Sequence, residues 1–270
     1  MKFGIVISMY DETHIVRKTI DDLRANNCIF FVVQSDPGSK DKMLEKSLCE
    51  RYELMSDLAG SRNNYEKIVE SFKNGNPEPI GPIALTRNFS RGFSLTVDYD
   101  LDYVIGITGD VSISNMRGMS TIITKMLKTR KKIAGTRTIG YTLYDKEGHL
   151  TRFQDKNSTD IMPQFFLADA KLIKEGLFCN IQRTNKYNTE QCLGDEIKRF
   201  CKSKNVEFFD LFYSICDYAY PRFIDGLNYN PDKLSKMPSK IEGIVNYLRR
   251  RISRNNNEKL TKIFQKVLKH

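Results

Sequence analysis

The chain has 270 residues with 40% hydrophobic and 11% aromatic content, enough to bury a sizeable core, which excludes wholesale disorder. Its formal net charge of +10 is concentrated at one end: residues 233–270 hold 11 Lys and Arg against two acids, while the other 232 hold 32 basic and 31 acidic groups. So neutral a body speaks against a nucleic-acid binder, whose cations belong on the folded surface.

Apolar runs such as Cys28–Val33 are too short to cross a bilayer. Lys2 is followed at once by strand-like Phe3–Ile7, so no secretory leader is expected. Six cysteines form no Cys-x-x-Cys pair and there are only three histidines, which disfavours a structural zinc site. Reduced thiols in a cytoplasmic protein fit this usage.

In chain order, Phe3–Ser8 reads as a buried strand, Ile15–Ala25 as a helix and Ile29–Val33 as a second buried strand. Gln34–Ser39 is a dense turn signal. Lys40–Tyr52 and Tyr65–Phe72 read as helices, Asn74–Pro82 as a loop, and Ile83–Leu85 as a short strand. Ser90–Val97 is expected to be helical and Tyr103–Ile107 a further apolar strand. This alternation indicates a doubly wound, mostly parallel α/β sheet. Beyond Thr108, Gly118–Leu127 reads as a helix, Lys132–Thr138 as a strand and Tyr141–Thr151 as a hairpin turning at Lys146–Gly148. Phe153–Met162 is polar and expected to be mobile; Gln164–Leu167 reads as a strand and Glu190–Lys202 as a helix.

In open α/β sheets ligands bind beyond the carboxyl ends of the strands. The first such end, Ser8-Met9-Tyr10-Asp11-Glu12, has no glycine cluster, which disfavours a dinucleotide fold. Neither a phosphate-binding Gly-x-x-x-x-Gly-Lys-Ser/Thr loop nor a Gly-x-Ser-x-Gly elbow occurs. The strand ends offer acids instead: Asp11 and Glu12 after the first, Asp36 after the second, Asp110 after Tyr103–Ile107. Carboxylates gathered on one sheet edge repel unless they meet donors or a cation, and hard divalent ions bridge such oxygens to phosphates. The expectation is a site for a diphosphate-bearing ligand and a metal ion.

Several segments resemble GT-A-fold, family-2-like glycosyltransferases. Ile5–Glu12 resembles their opening strand and Phe31–Ser39 their second strand with its acidic Gly-Ser turn. Thr86-Arg87-Asn88-Phe89-Ser90-Arg91-Gly92 resembles the helix start before the metal strand, and Asp102–Asp110 the strand that ends in Asp-x-Asp. Thr108 stands where the first metal-motif acid belongs, leaving Asp110 as the matching carboxylate. The literal Asp98-Tyr99-Asp100 and Asp100-Leu101-Asp102 strings precede the strand and belong to the opposite sheet edge.

The resemblance implies a GT-A-like α/β fold with a nucleotide-sugar-binding half at 1–115, an acceptor-binding and catalytic half of the same domain at 116–215, and a basic helical extension at 216–270. It implies a nucleotide-sugar donor, a glycan or glycolipid acceptor and Mn2+ or Mg2+ at Asp110. Asp36 would accept from the nucleobase, Ser8, Tyr10 and Asp11 would line the nucleoside pocket, and Thr108 would border the substrate. Arg87 or Arg91 would neutralise the diphosphate. Gly194-Asp195-Glu196 resembles the family's acidic pair at a helix start, making Asp195 the base and Glu196 its alternate or orienting partner, both near the helix's positive end.

The expected activity is inverting transfer of a sugar to an acceptor hydroxyl. Its rival is a non-catalytic nucleotide- or glycan-binding protein on the same fold, with a nucleotidyltransferase disfavoured for want of a Gly-rich basic loop after the first strand. In the tail, Ile241, Ile244, Val245, Leu248 and Ile252, then Leu260, Ile263, Phe264, Val267 and Leu268, follow helical spacing between cations. Such amphipathic helices either pack on the parent domain or dock on an anionic membrane surface, which would place the enzyme peripherally on a membrane's inner face.

Overall fold

In a computed structural model the chain is described at residues 1–55, 81–137, 141–144, 150–153, 161–181, 189–211 and 224–229. The strands among these residues are β1 (Phe3–Met9), β2 (Cys28–Ser35), β3 (Arg51–Met55), β4 (Tyr103–Thr108), β5 (Val111–Ile113), β6 (Ile133–Arg137), β7 (Tyr141–Tyr144), β8 (Leu150–Phe153), β9 (Ile161–Asp169), β10 (Phe208–Asp210) and β11 (Leu227–Tyr229). The helices are α1 (Thr13–Leu23), α2 (Gly81–Leu95), α3 (Arg117–Thr129), α4 (Ala170–Lys174) and α5 (Thr189–Lys204).

Seven strands form one sheet in the order β10-β6-β9-β4-β1-β2-β3. β1 pairs in parallel with β2 on one side and β4 on the other, and β9 alone runs antiparallel, between β4 and β6. Strand order therefore reverses at β1, which opens a crevice at the carboxyl ends of β1 and β4. Two small antiparallel pairs accompany the sheet, β5 with β11 and β7 with β8.

The burial follows from strand geometry. All seven residues of β1 are buried, and successive side chains point to opposite faces. Phe3, Ile5, Ile7 and Met9 enter a core shared with Val16, Ile20 and Leu23 of α1 and with Met119, Ile122, Ile123 and Met126 of α3. Val6 enters the other core, with Phe89 and Phe93 of α2, Leu172 and Ile173 of α4, and Leu193, Ile197 and Phe200 of α5. Both sheet faces are thus covered, which is why the central strands read as unbroken apolar runs. On the second face Phe166 meets Phe89 at 5.0 Å and Phe93 at 5.5 Å between ring centroids, pinning α2 against β9.

Several local expectations are corrected. Lys40–Tyr52 is not a helix: it makes short 3-10 turns at Lys40–Lys42 and Lys46–Leu48 and then enters β3. The side chain of Gln34 takes over backbone groups that a helix would use, donating to the Lys42 carbonyl at 2.8 Å and accepting from the Leu44 N–H at 3.1 Å. Ile83–Leu85 is not a strand but lies within α2, whose second residue, Pro82, suits a first helical turn. The helix expected over Tyr65–Phe72, the hairpin tip at Lys146–Gly148, most of the polar 153–162 stretch and the tail from 230 lie outside the described residues.

Candidate functional site

A cleft of about 330 Å³ occupies the β1–β4 crevice. Its floor is Ser8, Met9 and Tyr10 from β1 and its exit, and Thr108, Gly109 and Asp110 from β4 and its exit. Glu12 borders it from the start of α1, Ser35 from the end of β2, Ala84, Leu85 and Asn88 from α2, and Pro163 and Gln164 from β9. A broader depression of about 510 Å³ lies over the exposed face of α1, between Thr13 and Asp22. It is a helix surface, crossed by the Lys18–Asp22 pair at 2.8 Å, and it gathers no strand ends.

The two central exits lock together through Gly109, whose N–H donates to the Ser8 carbonyl at 2.8 Å. A Cβ on Gly109 would lie 2.7 Å from Met9 Cβ and 2.8 Å from Glu12 Oε2, so only glycine lets these loops approach so closely. Glu12 is held in place by the Tyr10 N–H, which donates to its Oε2 at 2.8 Å, while its own carbonyl accepts from Ile15 and Val16 at the start of α1. Asp110 is 9% exposed, and the Thr108 hydroxyl donates to its Oδ1. Two carboxylates thus stand on either side of Gly109, and no Lys or Arg lines the cleft among the described residues. The Tyr10 carbonyl accepts from Gln34 Nε2 at 2.6 Å, and Gln34 Oε1 accepts from the Tyr52 hydroxyl at 2.8 Å, tying the β1 exit to β3.

The donor set bears on a metal ion. No group of three or more His, Cys, Asp or Glu side chains is placed to hold one among the described residues. Asp110 and Glu12 together fit the other arrangement open to magnesium and manganese: one or two carboxylates, completed by water and substrate phosphate oxygens.

Of the residues singled out from sequence, Ser8, Tyr10, Thr108 and Asp110 meet in the cleft. Asp11 turns away, toward Lys42 Nζ at 3.7 Å. Asp36 lies on the same sheet edge, one residue past Ser35, where its Oδ1 accepts from the Gly38 N–H at 2.8 Å and closes a local turn. Arg91 forms a two-pronged pair with Glu53 of β3, both contacts at 2.6 Å, and this hydrogen bonding raises its already high pKa. Arg87 is exposed one turn earlier on α2. Asp98, Asp100 and Asp102 sit at the opposite edge, where Asp102 receives the Lys2 N–H at 2.7 Å.

The acidic pair departs from expectation in one respect. α5 begins at Thr189, so Asp195 and Glu196 occupy its interior and not its positively polarised first turn. Asp195 is exposed. Glu196 is 3% exposed and bound by Arg199, whose Nη2 donates to Oε2 at 2.6 Å. Neither residue is among the side chains that line the cleft.

Glu12, Asn88 and Gln164 are among the lining residues that carried no assigned role in the sequence. Glu12 was visible as a strand-end acid; its placement against Gly109 comes from the start of α1. Asn88 lay inside a recognised segment, and Gln164 opened an expected strand. Their significance depends on burial, which no local pattern reveals.

No family model matches this chain, and sequence comparison with curated proteins finds no relative. Among solved structures it is similar to mouse xyloside xylosyltransferase 1 in its apo form, at 8% identity and TM-score 0.40, over 77% of this chain and 85% of that one. It is also similar to core-mannan synthase A of Aspergillus fumigatus in an Mn/GDP form, at 10% identity and TM-score 0.36, over 77% and 73%. A CMP:2-keto-3-deoxy-manno-octonic acid synthetase complexed with CTP shares 8% identity at TM-score 0.39, over 78% and 89%. These are likenesses of chain path. With its reversal of strand order at β1, its antiparallel β9 and its cleft at the β1–β4 exits, the chain has the doubly wound, mostly parallel α/β layout expected from its sequence.

Proposed function

We propose that this protein is a glycosyltransferase that moves a sugar from a nucleotide-diphosphate sugar to an acceptor hydroxyl on a surface glycan or lipid-linked sugar, with inversion and with manganese or magnesium. The observation that carries the proposal is the pair of carboxylates, Glu12 and Asp110, meeting across Gly109 at the strand-order reversal. A diphosphate alone is repelled by such a floor; a diphosphate with a divalent cation is complementary to it. Asp110 and Glu12 would hold that cation, which when bound supplies Lewis acidity to the departing nucleoside diphosphate.

The remaining work falls to the chain's own groups. Asp36, beyond Ser35, receives the nucleobase, with Ser8 and Tyr10 bordering the nucleoside and Thr108 the diphosphate. Arg87, exposed on α2, supplies positive charge to the phosphates. Asp195 takes the acceptor proton: of the acidic pair it is the exposed member, whereas Glu196 is committed to Arg199. An acceptor then enters from the side where α5 packs on β9. The cationic tail, with its helical apolar spacing, holds the enzyme peripherally at an anionic membrane face, the protein being cytoplasmic.

One observation favours a second possibility, a non-catalytic nucleotide- or glycan-binding protein. Thr108 replaces an acid and engages Asp110, and Asp195 stands outside the cleft lining. The experiment that separates them has two stages. Nucleoside diphosphates with manganese should raise the melting temperature, because ligand binding adds RT ln(1 + [L]/Kd) to stability. A donor library read out as released nucleotide should then show turnover. Stabilisation without turnover on any donor and acceptor supports the binding protein; no stabilisation by any nucleotide removes both.

A further inference from the structure

Two residues that line the cleft each carry a buried amide oxygen with no hydrogen-bond partner: Asn88 Oδ1 and Gln164 Oε1. Native chains seldom leave such atoms unmatched, and an unmatched one calls for a specific explanation. Asn88 is 1% exposed, and its orientation is fixed from behind. Its Nδ2 donates to Ser35 Oγ at 3.0 Å and to the Val33 carbonyl at 3.4 Å. A carbonyl can only accept, so the amide cannot turn its oxygen that way and its nitrogen toward the cleft. Gln164 precedes Phe165, which faces Ile107 across the β4–β9 ladder, and so stands beside the end of β4. The two oxygens therefore sit on opposite flanks, one behind β2 and one beyond β4, with Glu12 and Asp110 between them.

The pattern across the cleft is acceptor, paired carboxylates, acceptor. Its complement is a ligand with N–H or O–H donors at both ends and a cation-bound anion in the middle. We propose that Asn88 and Gln164 determine ligand specificity: Asn88 accepts from the nucleoside and Gln164 from a hydroxyl or amide of the transferred sugar. This rests on the nucleotide-sugar function proposed above and adds the groups that would read its two ends. A site built around a hydrogen bond discriminates strongly against ligands lacking the donor, because its own polar atom is then left unmatched.

The test is Gln164→Met, which keeps length and replaces the whole amide, oxygen and nitrogen, with a thioether. Calorimetric titrations in manganese would compare UDP-glucose, UDP-N-acetylglucosamine and GDP-mannose with UDP and GDP. The expected result is an affinity for the best nucleotide-sugar lowered about tenfold or more, with the matching diphosphate unchanged within about twofold. The ligand-free melting temperature should not fall, since the lost oxygen had no partner to lose. Asn88→Ala, where it folds, should weaken diphosphate and nucleotide-sugar alike. Undiminished nucleotide-sugar binding by Gln164→Met, or a marked drop in its ligand-free stability, overturns this proposal while leaving the nucleotide-sugar function standing. A wild-type protein that binds none of the five compounds overturns both.

Discussion

Glu12 and Gly109 touch across the exits of β1 and β4, with Glu12 Oε2 2.8 Å from where a Gly109 Cβ would be. The missing side chain is what lets a carboxylate from the start of α1 stand beside Asp110 in the cleft. Gly109→Ala should therefore strain both Met9 and Glu12, at a cost of about 1–3 kcal/mol. It should also displace Glu12 from the cation position. Urea denaturation would give the first effect, and manganese-dependent binding of nucleoside diphosphates the second. Wild-type behaviour in both would show that the exits are looser than this contact implies.

Asp110 and Glu12 differ in how the fold uses them, and the difference is testable. Asp110 is buried behind the Thr108 hydroxyl, whereas Glu12 is anchored by the Tyr10 N–H at 2.8 Å. Asp110→Asn should abolish the manganese-dependent component of nucleotide binding. Glu12→Gln should weaken it less, because the amide oxygen can still accept from Tyr10. Titrations with and without manganese separate the two variants; equal nucleotide affinity in wild type and Asp110→Asn would remove the metal role.

Arg87 and Arg91 lie one helical turn apart on α2 and share a face. Arg91 is spent on Glu53, an exposed pair worth under about 1 kcal/mol. Arg87 falls in the same stretch of α2 as the cleft residues Ala84, Leu85 and Asn88. Arg87→Ala should lower diphosphate affinity about tenfold, the scale of one charged hydrogen bond, and Arg91→Ala should leave it unchanged. The reverse outcome would mean that Arg91 exchanges Glu53 for phosphate on binding.

Burial pushes the Cys28 and Cys49 thiols up to about 12 from an ordinary 9.0. Between those values the folded protein keeps both protons while the unfolded chain releases them. Their contribution is therefore complete below pH 9.0 and is lost as pH rises toward about 12. The slope is at most about 1.4 kcal/mol per pH unit for each thiol. Urea midpoints taken at about pH 8 and about pH 11 should fall, and Cys28→Ala with Cys49→Ala should flatten the fall.

What the sequence disclosed, and what it hid, follows from the range of the forces involved. β1, β2 and β4 were legible because both sheet faces are covered, so their positions are apolar until the polar residues at the carboxyl ends. β3 was hidden: Arg51 is exposed, the rest of the strand is half-buried, and Glu53 pairs with Arg91, so this edge strand shows no apolar run. The stretch before it carries a helical pattern that Gln34 overrides by bonding Lys42 and Leu44. Asp110 was accessible from its strand end, and Ser8, Tyr10 and Thr108 from the family resemblance of the segments that hold them. Glu12 needed the Gly109 contact, and Asn88 and Gln164 needed the burial of single oxygen atoms, both long-range facts.

The short segment 224–229 decides how the tail should be tested. β11 pairs with β5 directly after Asp110, Tyr229 opposite Val111. Just before it, Gly226, at φ +86°, comes so close to Asn115 that a Cβ would lie 2.3 Å from its carbonyl. The Gly226 carbonyl accepts from the Ser114 N–H at 2.7 Å, and the Asp225 carbonyl from the Gly118 N–H at 3.1 Å. Ile224 and Leu227 are buried in the core that holds α1 and α3. This clasp belongs to the folded body, although the charge that distinguishes the tail begins only at Lys233. Removing 233–270 should therefore leave the melting temperature nearly unchanged and abolish sedimentation with anionic vesicles. Removing 224–270 should unpair β5, strip two side chains from the core and lower stability by several kcal/mol, the sum of the lost apolar burial. If the shorter deletion already unfolds the protein, the tail packs on the body; if it sediments with vesicles as the full chain does, membrane attachment lies elsewhere.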